Sequence, residues 1–300
     1  MGISDLIVRL GDEVEDASSR DLGFVDPKAR SFDITVCDRD FVIQQSPSLL
    51  SSDRTGGTTG AVVWKITPLF AEWITSQENI LFQTSTATHQ STVLELGCGV
   101  SGILALACAP KIHRYIATDQ EYVFKLLRQN LKDNATQASK TTTNAKPSTR
   151  LKSPVLRPEK FTSASNIDIL ALDWETSDLL SLPNVLSPST DSSCLVDVIL
   201  ACDCIYNEAL VEPFVQACAD ICRLPGQSSS SSLKTKPTVC VTAQQLRSHT
   251  VFEAWLMAFT RVFSVWRVPD EMLTEGLKVG NGFVVHIGVL KEEGLSKWAK

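Results

Sequence analysis

Short apolar runs of strand length alternate with longer amphipathic stretches along this chain. That alternation predicts an α/β fold: an open, mostly parallel sheet with helices on both faces. A second observation sharpens it. The apolar run Thr92–Leu96 passes directly into Gly97-Cys98-Gly99-Val100-Ser101-Gly102 and then into an apolar helical run at 103–109, the strand–turn–helix opening of a Rossmann-like unit. The third is a closing pair of strand patterns at 263–268 and 282–290, with Gly280-Asn281-Gly282 ahead of the last. That turn signal implies an antiparallel last strand inserted into the sheet. The expected architecture is a seven-stranded, mostly parallel sheet with an antiparallel last strand, preceded by a β-hairpin extension.

The elements follow in order. Residues 1–60 hold eleven acidic against six basic residues and read as an extension. Within it Phe32–Cys37 and Asp40–Ser46 alternate apolar and polar residues around Asp38-Arg39, a hairpin pattern. Gly56-Gly57-Thr58-Thr59-Gly60 is a flexible loop that delivers Ala61–Trp64. Leu69, Phe70, Trp73 and Ile74 then recur at helical spacing. Core strands are expected at 91–96, 114–118, 167–172, 195–201 and 237–242, and helices at 121–134, 210–223 and 251–263. The stretch 132–160, with seven basic and two acidic residues and much Ser, Thr and Pro, reads as a loosely held insertion. A serine tract occupies 228–232.

Composition narrows the function classes. The chain has 300 residues, 43% apolar and 21% charged, and a formal net charge of −6. That negative balance does not advertise a nucleic-acid partner. No apolar run reaches the roughly 18 residues a membrane span needs. The segment Met1–Arg9 carries early charges and no signal core, and Leu6 breaks the myristoylation pattern. A cytoplasmic protein, with the nucleus as a second location, is expected. The nine cysteines match no common zinc spacing and read as reduced, mostly buried thiols, so no metal site is expected.

In open α/β sheets ligands sit beyond the carboxyl ends of the strands, where strand order switches. That rule selects Gly97–Gly99, Asp119, Asp173-Trp174 and Ala201–Tyr206. Gly97-x-Gly99-x-x-Gly102 matches the dinucleotide glycine fingerprint, and Asp119 lies about 20 residues on, where an acid grips ribose hydroxyls. An adenosine-type ligand follows. Glu95, two residues before the first glycine, would repel a diphosphate and welcome a cation, which favours S-adenosylmethionine over NAD. Asp173 can accept from an adenine amino group while Trp174 packs along the ring. Trp64 is either a packing anchor or a ligand contact. Asp203 and Tyr206 suit a tetrahedral cationic amine: the aspartate to attract and orient it, the tyrosine to shape a channel.

The set Gly60-x-Val62-Val63-Trp64, Glu95-Leu96-Gly97-Cys98-Gly99, Asp119, Leu172-Asp173-Trp174 and Asp203-x-x-Tyr206 resembles the seven-strand, non-SET protein-lysine methyltransferases of methyltransferase family sixteen, over roughly residues 30–290. The acidic extension and the basic insertion look most like the fungal ribosomal-protein branch. The resemblance implies a methyltransferase domain over 61–300 and S-adenosylmethionine held by Trp64, the Gly97-Cys98-Gly99 turn, Asp119, Trp174 and the backbone near Ala201. It implies the Asp203–Tyr206 loop at the target lysine, and a large-subunit ribosomal protein as substrate of a monomeric enzyme. The insertion and the serine tract depart from the family core. Three other readings stay open on sequence: an NAD-dependent oxidoreductase, a non-catalytic module capping a ribosomal protein, and an RNA methyltransferase using the basic segment as an arm.

Overall fold

The computed structural model describes residues 23–54, 57–135, 159–160, 166–179, 182, 196–224 and 236–291. Positions 136–158 of the basic stretch and the serine tract 228–232 lie outside the described residues.

The central strands are buried on both faces, so they read as continuous apolar runs. They are β3 (Thr92–Leu96), β4 (Arg114–Asp119), β6 (Ile167–Ala171), β7 (Val198–Cys202) and β8 (Val239–Gln245), all parallel. β9 (Phe263–Arg267) and β10 (Phe283–Leu290) complete the order β6-β4-β3-β7-β8-β10-β9, with β10 antiparallel to both neighbours, as the sequence pattern predicts. A two-residue strand, β5 (Glu159–Lys160), adds an antiparallel edge on β6, within the stretch expected to be a loop. The connection from β9 to β10 is not a tight Asn-Gly hairpin. It runs through three 3₁₀ turns at 270–272, 275–277 and 279–281, and only Gly282, at φ +78°, needs the left-handed region.

Side-chain alternation sends neighbouring strand residues to opposite layers. Leu94 and Leu96 join the core under α4 (Val211–Cys222) and α5 (His249–Val262). Val93 joins the other core, with α1 (Ile66–Thr75), α2 (Ile103–Cys108) and α3 (Phe124–Ala135). Strand order switches around β3, since the chain moves outward through β4 and β6 and returns to β7 on the other side. The site region is therefore the carboxyl ends of β3, β4, β6 and β7.

The hairpin, β1 (Ser31–Val36) with β2 (Arg39–Gln44), lies against α3. Two asparagines one helical turn apart on α3 stand in for a neighbouring strand. Asn134 accepts from Val42 N–H at 2.8 Å and donates to its C=O at 3.0 Å. Asn130 does the same for Gln44 at 2.7 and 2.8 Å, and donates to Val100 C=O at 2.7 Å. The outer edge of β2 is thereby satisfied. This is also why α3 runs on to Ala135, so that Lys132–Ala135 form its last turn instead of opening the insertion.

Asn130 is fully buried. Its replacement by alanine strips partners from two peptide groups of β2 and the glycine turn, at roughly 1–3 kcal/mol for each group left unpaired. We expect Asn130→Ala to lower unfolding free energy by about 3 kcal/mol in urea titration, and Asn134→Ala, beside partly exposed Val42, to lower it less.

Candidate active site

A cavity of about 400 Å³ opens where the sheet order switches. Its walls include Trp64, Glu95, Gly97, Cys98, Gly99, Asp119, Asp173, Trp174, Asp203 and Tyr206, ten of the eleven residues singled out from sequence. Ala201 is the exception. It is paired with Leu96 and Thr242 inside the sheet and packs into the α4–α5 core; the residue of β7 that reaches the cavity is Cys202.

The floor is the turn after β3. Gly97 and Gly99 sit at φ +70° and +60°. A Cβ on Gly97 would lie 2.8 Å from Cys204 Sγ and 3.3 Å from Trp174, and one on Gly99 would lie 3.1 Å from Gly60 C=O. Only glycine permits these approaches. The turn differs from the sequence expectation in one respect: three of its N–H groups are already bonded within the protein. Cys98 N–H donates to Thr118 C=O at 3.0 Å, Gly99 N–H to Asp119 Oδ2 at 2.8 Å and Val100 N–H to Gly60 C=O at 2.9 Å. A diphosphate site needs such donors open toward the ligand. The same letters that fit an NAD fingerprint therefore build a turn that supports a neutral or cationic ligand.

Asp119 ends β4 and uses one lone pair of each oxygen on the backbone, Oδ2 on Gly99 and Oδ1 on Gln120 N–H at 2.7 Å. Its remaining lone pairs suit a diol. Burial pushes its carboxyl up to about 6, against those two hydrogen bonds and nearby Arg54. Arg54 closes this end: it lies over Tyr122 at 4.2 Å and donates to Gln120 Oε1 and Gly57 C=O. Asp173 begins a turn, accepting from Glu175 N–H at 3.0 Å, and Trp174 is held edge-on against Phe214.

Glu95 is neither solvent-facing nor a standing negative charge. It is 3% exposed and accepts from Tyr115 O–H at 2.7 Å. Burial raises its carboxyl to about 8, so it is protonated at neutral pH unless a cation faces it. Asp203 needs a larger correction. It is buried, and both its oxygens are taken by Arg247. Burial pushes its carboxyl up and the guanidinium opposes that. It is not the free anion expected to attract an ammonium group. Tyr206, 37% exposed, stands at the mouth beside Gly57.

Sequence reasoning missed Arg247, Arg54, Tyr122 and Tyr115. None follows a strand end at a motif spacing. Tyr115 alone left a signal, since its register on β4, two residues before Ala117 opposite Glu95, puts both side chains on one face.

The chain is similar to several known proteins. A model of the lysine methyltransferase family matches residues 43–173. The chain is 29% identical over 234 residues to a ribosomal lysine N-methyltransferase 5 of Zygosaccharomyces rouxii, covering 72% of this chain and 69% of that one. It is 29% identical over 217 residues to a protein of the same name from Saccharomyces cerevisiae, covering 58% and 59%. It is also 25% identical over 256 residues to a diaminohydroxyphosphoribosylamino-pyrimidine deaminase of Schizosaccharomyces pombe, covering 85% of this chain and 50% of that one. The H-x-E and P-C-x-x-C pair of zinc deaminases does not occur in this sequence. The chain thus spans between half and about two thirds of these relatives' lengths. Similar solved structures include a methyltransferase from Pyrococcus furiosus, with 14% identity, TM-score 0.41 and coverage of 75% and 83%. The METTL16 methyltransferase domain has 12% identity, TM-score 0.42 and coverage of 74% and 68%.

The folded chain keeps a proton on Glu95 up to about pH 8, whereas the unfolded chain releases it near the ordinary value of 4.5. Between these values the folded state binds more protons, so stability falls as pH rises. Urea titrations at pH 5 and pH 8 are expected to show a loss in the wild type of which the Glu95 share, roughly 3 kcal/mol, is absent in Glu95→Gln, while the smaller share from Asp119, raised to about 6, remains.

Proposed function

We propose that this chain belongs to the lysine methyltransferase family, to whose model and relatives it is similar, and that it is an S-adenosylmethionine-dependent protein-lysine N-methyltransferase whose acceptor is a large-subunit ribosomal protein. One observation carries the reading. A single cavity joins a glycine turn whose Cys98, Gly99 and Val100 N–H groups are bonded within the protein, an acid with diol-accepting lone pairs, an indole and an exposed tyrosine. The names of the two yeast relatives support the ribosomal target. With that target the protein would meet its acceptor in the cytoplasm or the nucleus, acting as a monomer.

The residues present fit the donor. Asp119 would accept from its ribose, Asp173 and Trp174 would hold the adenine, Gly97 and Gly99 would let the backbone come close, and Trp64 would wall the site. Glu95 would meet the cationic charge of the donor and would give up its proton when a cation faces it. S-adenosylmethionine supplies a methyl group already activated by the sulfonium charge. What the chain must add is position and dryness. The target lysine enters past Tyr206, whose ring and hydroxyl shape the channel, and sheds its proton before attack. A nearby positive charge and a largely apolar channel both lower an amine's pKa. No side chain in the cavity acts as a strong general base, and the proton leaves along the open mouth to water.

The test is transfer of labelled methyl from S-adenosylmethionine to ribosomal proteins, read by mass spectrometry. We expect label on a lysine of one large-subunit protein, and a loss of at least about tenfold in donor affinity for Asp119→Ala, roughly the value of one charge-assisted hydrogen bond. Label in ribosomal RNA would replace this reading with the RNA one. No thermal stabilisation by S-adenosylhomocysteine would overturn the choice of donor.

A further inference from the structure

Asp203 follows β7 with φ +55°, a left-handed conformation uncommon for a residue with a side chain. Its carboxylate meets Arg247, which lies just past β8. Nη1 donates to Oδ2 at 2.8 Å and Nη2 to Oδ1 at 2.9 Å, a two-pronged pair, and Gln245 N–H adds a longer bond at 3.3 Å. The same guanidinium lies over the Trp64 ring, 4.5 Å from its centroid. Its Nη1 also donates to Gln245 Oε1 at 3.2 Å. Gly23 passes so near that a Cβ there would sit 2.0 Å from that Oε1 and 2.8 Å from Nη1. Arg247 does not itself line the cavity. It stands behind two residues that do, Asp203 and Trp64.

We propose that Arg247 is a positioning residue of the acceptor site, which by clamping Asp203 and Trp64 makes the wall facing the lysine amine electrically neutral. The proposal rests on the methyltransferase reading above. An amine attacks only in its uncharged form. A bare carboxylate beside it would favour the ammonium form by one to three pK units. A carboxylate whose charge is already met by a guanidinium exerts little of that pull, yet keeps its shape and its place. Among the described residues no other group supplies this charge. The titratable neighbours of Asp203 are the thiols of Cys202 and Cys204, which burial keeps protonated, while Glu95, Asp119 and the Tyr206 hydroxyl line the same cavity. Arg247 also fixes the indole, because a flat guanidinium can stack and fork at once, which a lysine cannot.

The experiment compares wild type with Arg247→Met, Arg247→Lys and the double variant Arg247→Met/Asp203→Asn. It uses the full chain, S-adenosylmethionine and large-subunit ribosomal proteins. For Arg247→Met, kcat at pH 7 is expected to fall about tenfold and the acidic limb of the kcat–pH profile to move up by about one unit, while the apparent acceptor KM changes at most about twofold. The double variant returns the limb to its wild-type position, and Arg247→Lys falls between. Calorimetric binding of S-adenosylhomocysteine reads the donor end separately: because Arg247 also braces Trp64, it weakens to the same extent in Arg247→Met and in the double variant, so the return of the limb in the double variant reports the Asp203 charge and not the indole. If Arg247→Met does not fold, Arg247→Lys carries the test by its intermediate limb. An unmoved limb, or a loss shared by kcat and KM that the double variant does not rescue, overturns the proposal. Failure of the wild type to transfer label overturns the functional reading instead.

Discussion

Backbone meets backbone between Gly60 and Gly99, and the site depends on that contact. Val100 N–H donates to Gly60 C=O, while Tyr122 O–H receives Gly60 N–H at 3.2 Å. A Cβ on either glycine would push the strands of this contact apart: 2.9 Å from the tyrosine oxygen on Gly60, 3.1 Å from the Gly60 carbonyl on Gly99. With both glycines in place the loop at 57–64 is drawn down onto the turn after β3. Trp64 is thereby delivered to the cavity wall and Gly57 to the neighbourhood of Tyr206. The contact also consumes a donor that a phosphate would need. One steric constraint thus shapes the cavity and narrows the ligands it can take.

Charge in the cavity is arranged by burial more than by number. Glu95 and Asp119 lie in the same wall, and desolvation dominates both. Each is poised to carry less negative charge than its formula suggests, until a cation or a set of hydroxyl donors arrives. Asp203 is held differently, by a fixed counterion. The two devices differ in kind: protonatable acids where a cationic donor is proposed to bind, a closed ion pair where the proposed acceptor amine has to stay uncharged.

The sheet was legible because its strands are buried on both faces and its helices on one, so hydrophobic periodicity reported topology almost directly. Thr92–Leu96 and Arg114–Asp119 fall within a residue of where the pattern put them. Position in the cavity was legible for the same reason, since residues after parallel strands must converge. The state of those residues was not. Glu95 could be placed near the turn from its spacing, but its protonation depends on Tyr115, which lies on another strand. Asp203 could be placed at a strand end, but its partner lies 44 residues away in sequence, past β8. An aspartate and an arginine at that separation carry no pattern until the sheet is closed. The Ala201 expectation concerned the backbone there: alternation along β7 sends the side chains of Ile199 and Ala201 to the α4–α5 core, while the adjacent Cys202 lines the cavity.

The segment from Gly23 to Gly60 is tied into the site at several points. Phe24 bridges to Trp64 and packs its ring at 4.4 Å from the indole. Val25 N–H donates to Val63 C=O, and Lys65 N–H to Gly23 C=O. Gln45 gathers Asp26 C=O, Ala29 C=O and Val63 N–H on one buried amide. Asn130 then couples β2 to Val100 in the glycine turn. Because Gly23 also rests on Arg247, the same segment braces both the turn that is read as holding the donor and the ion pair that faces the acceptor. A buried polar network of this kind fails as a unit, since each lost partner leaves another group unsatisfied in low dielectric. Loosening this segment should therefore disturb Trp64, the glycine turn and Asp203 together, although none of its residues from Gly23 to Gln45 lines the cavity.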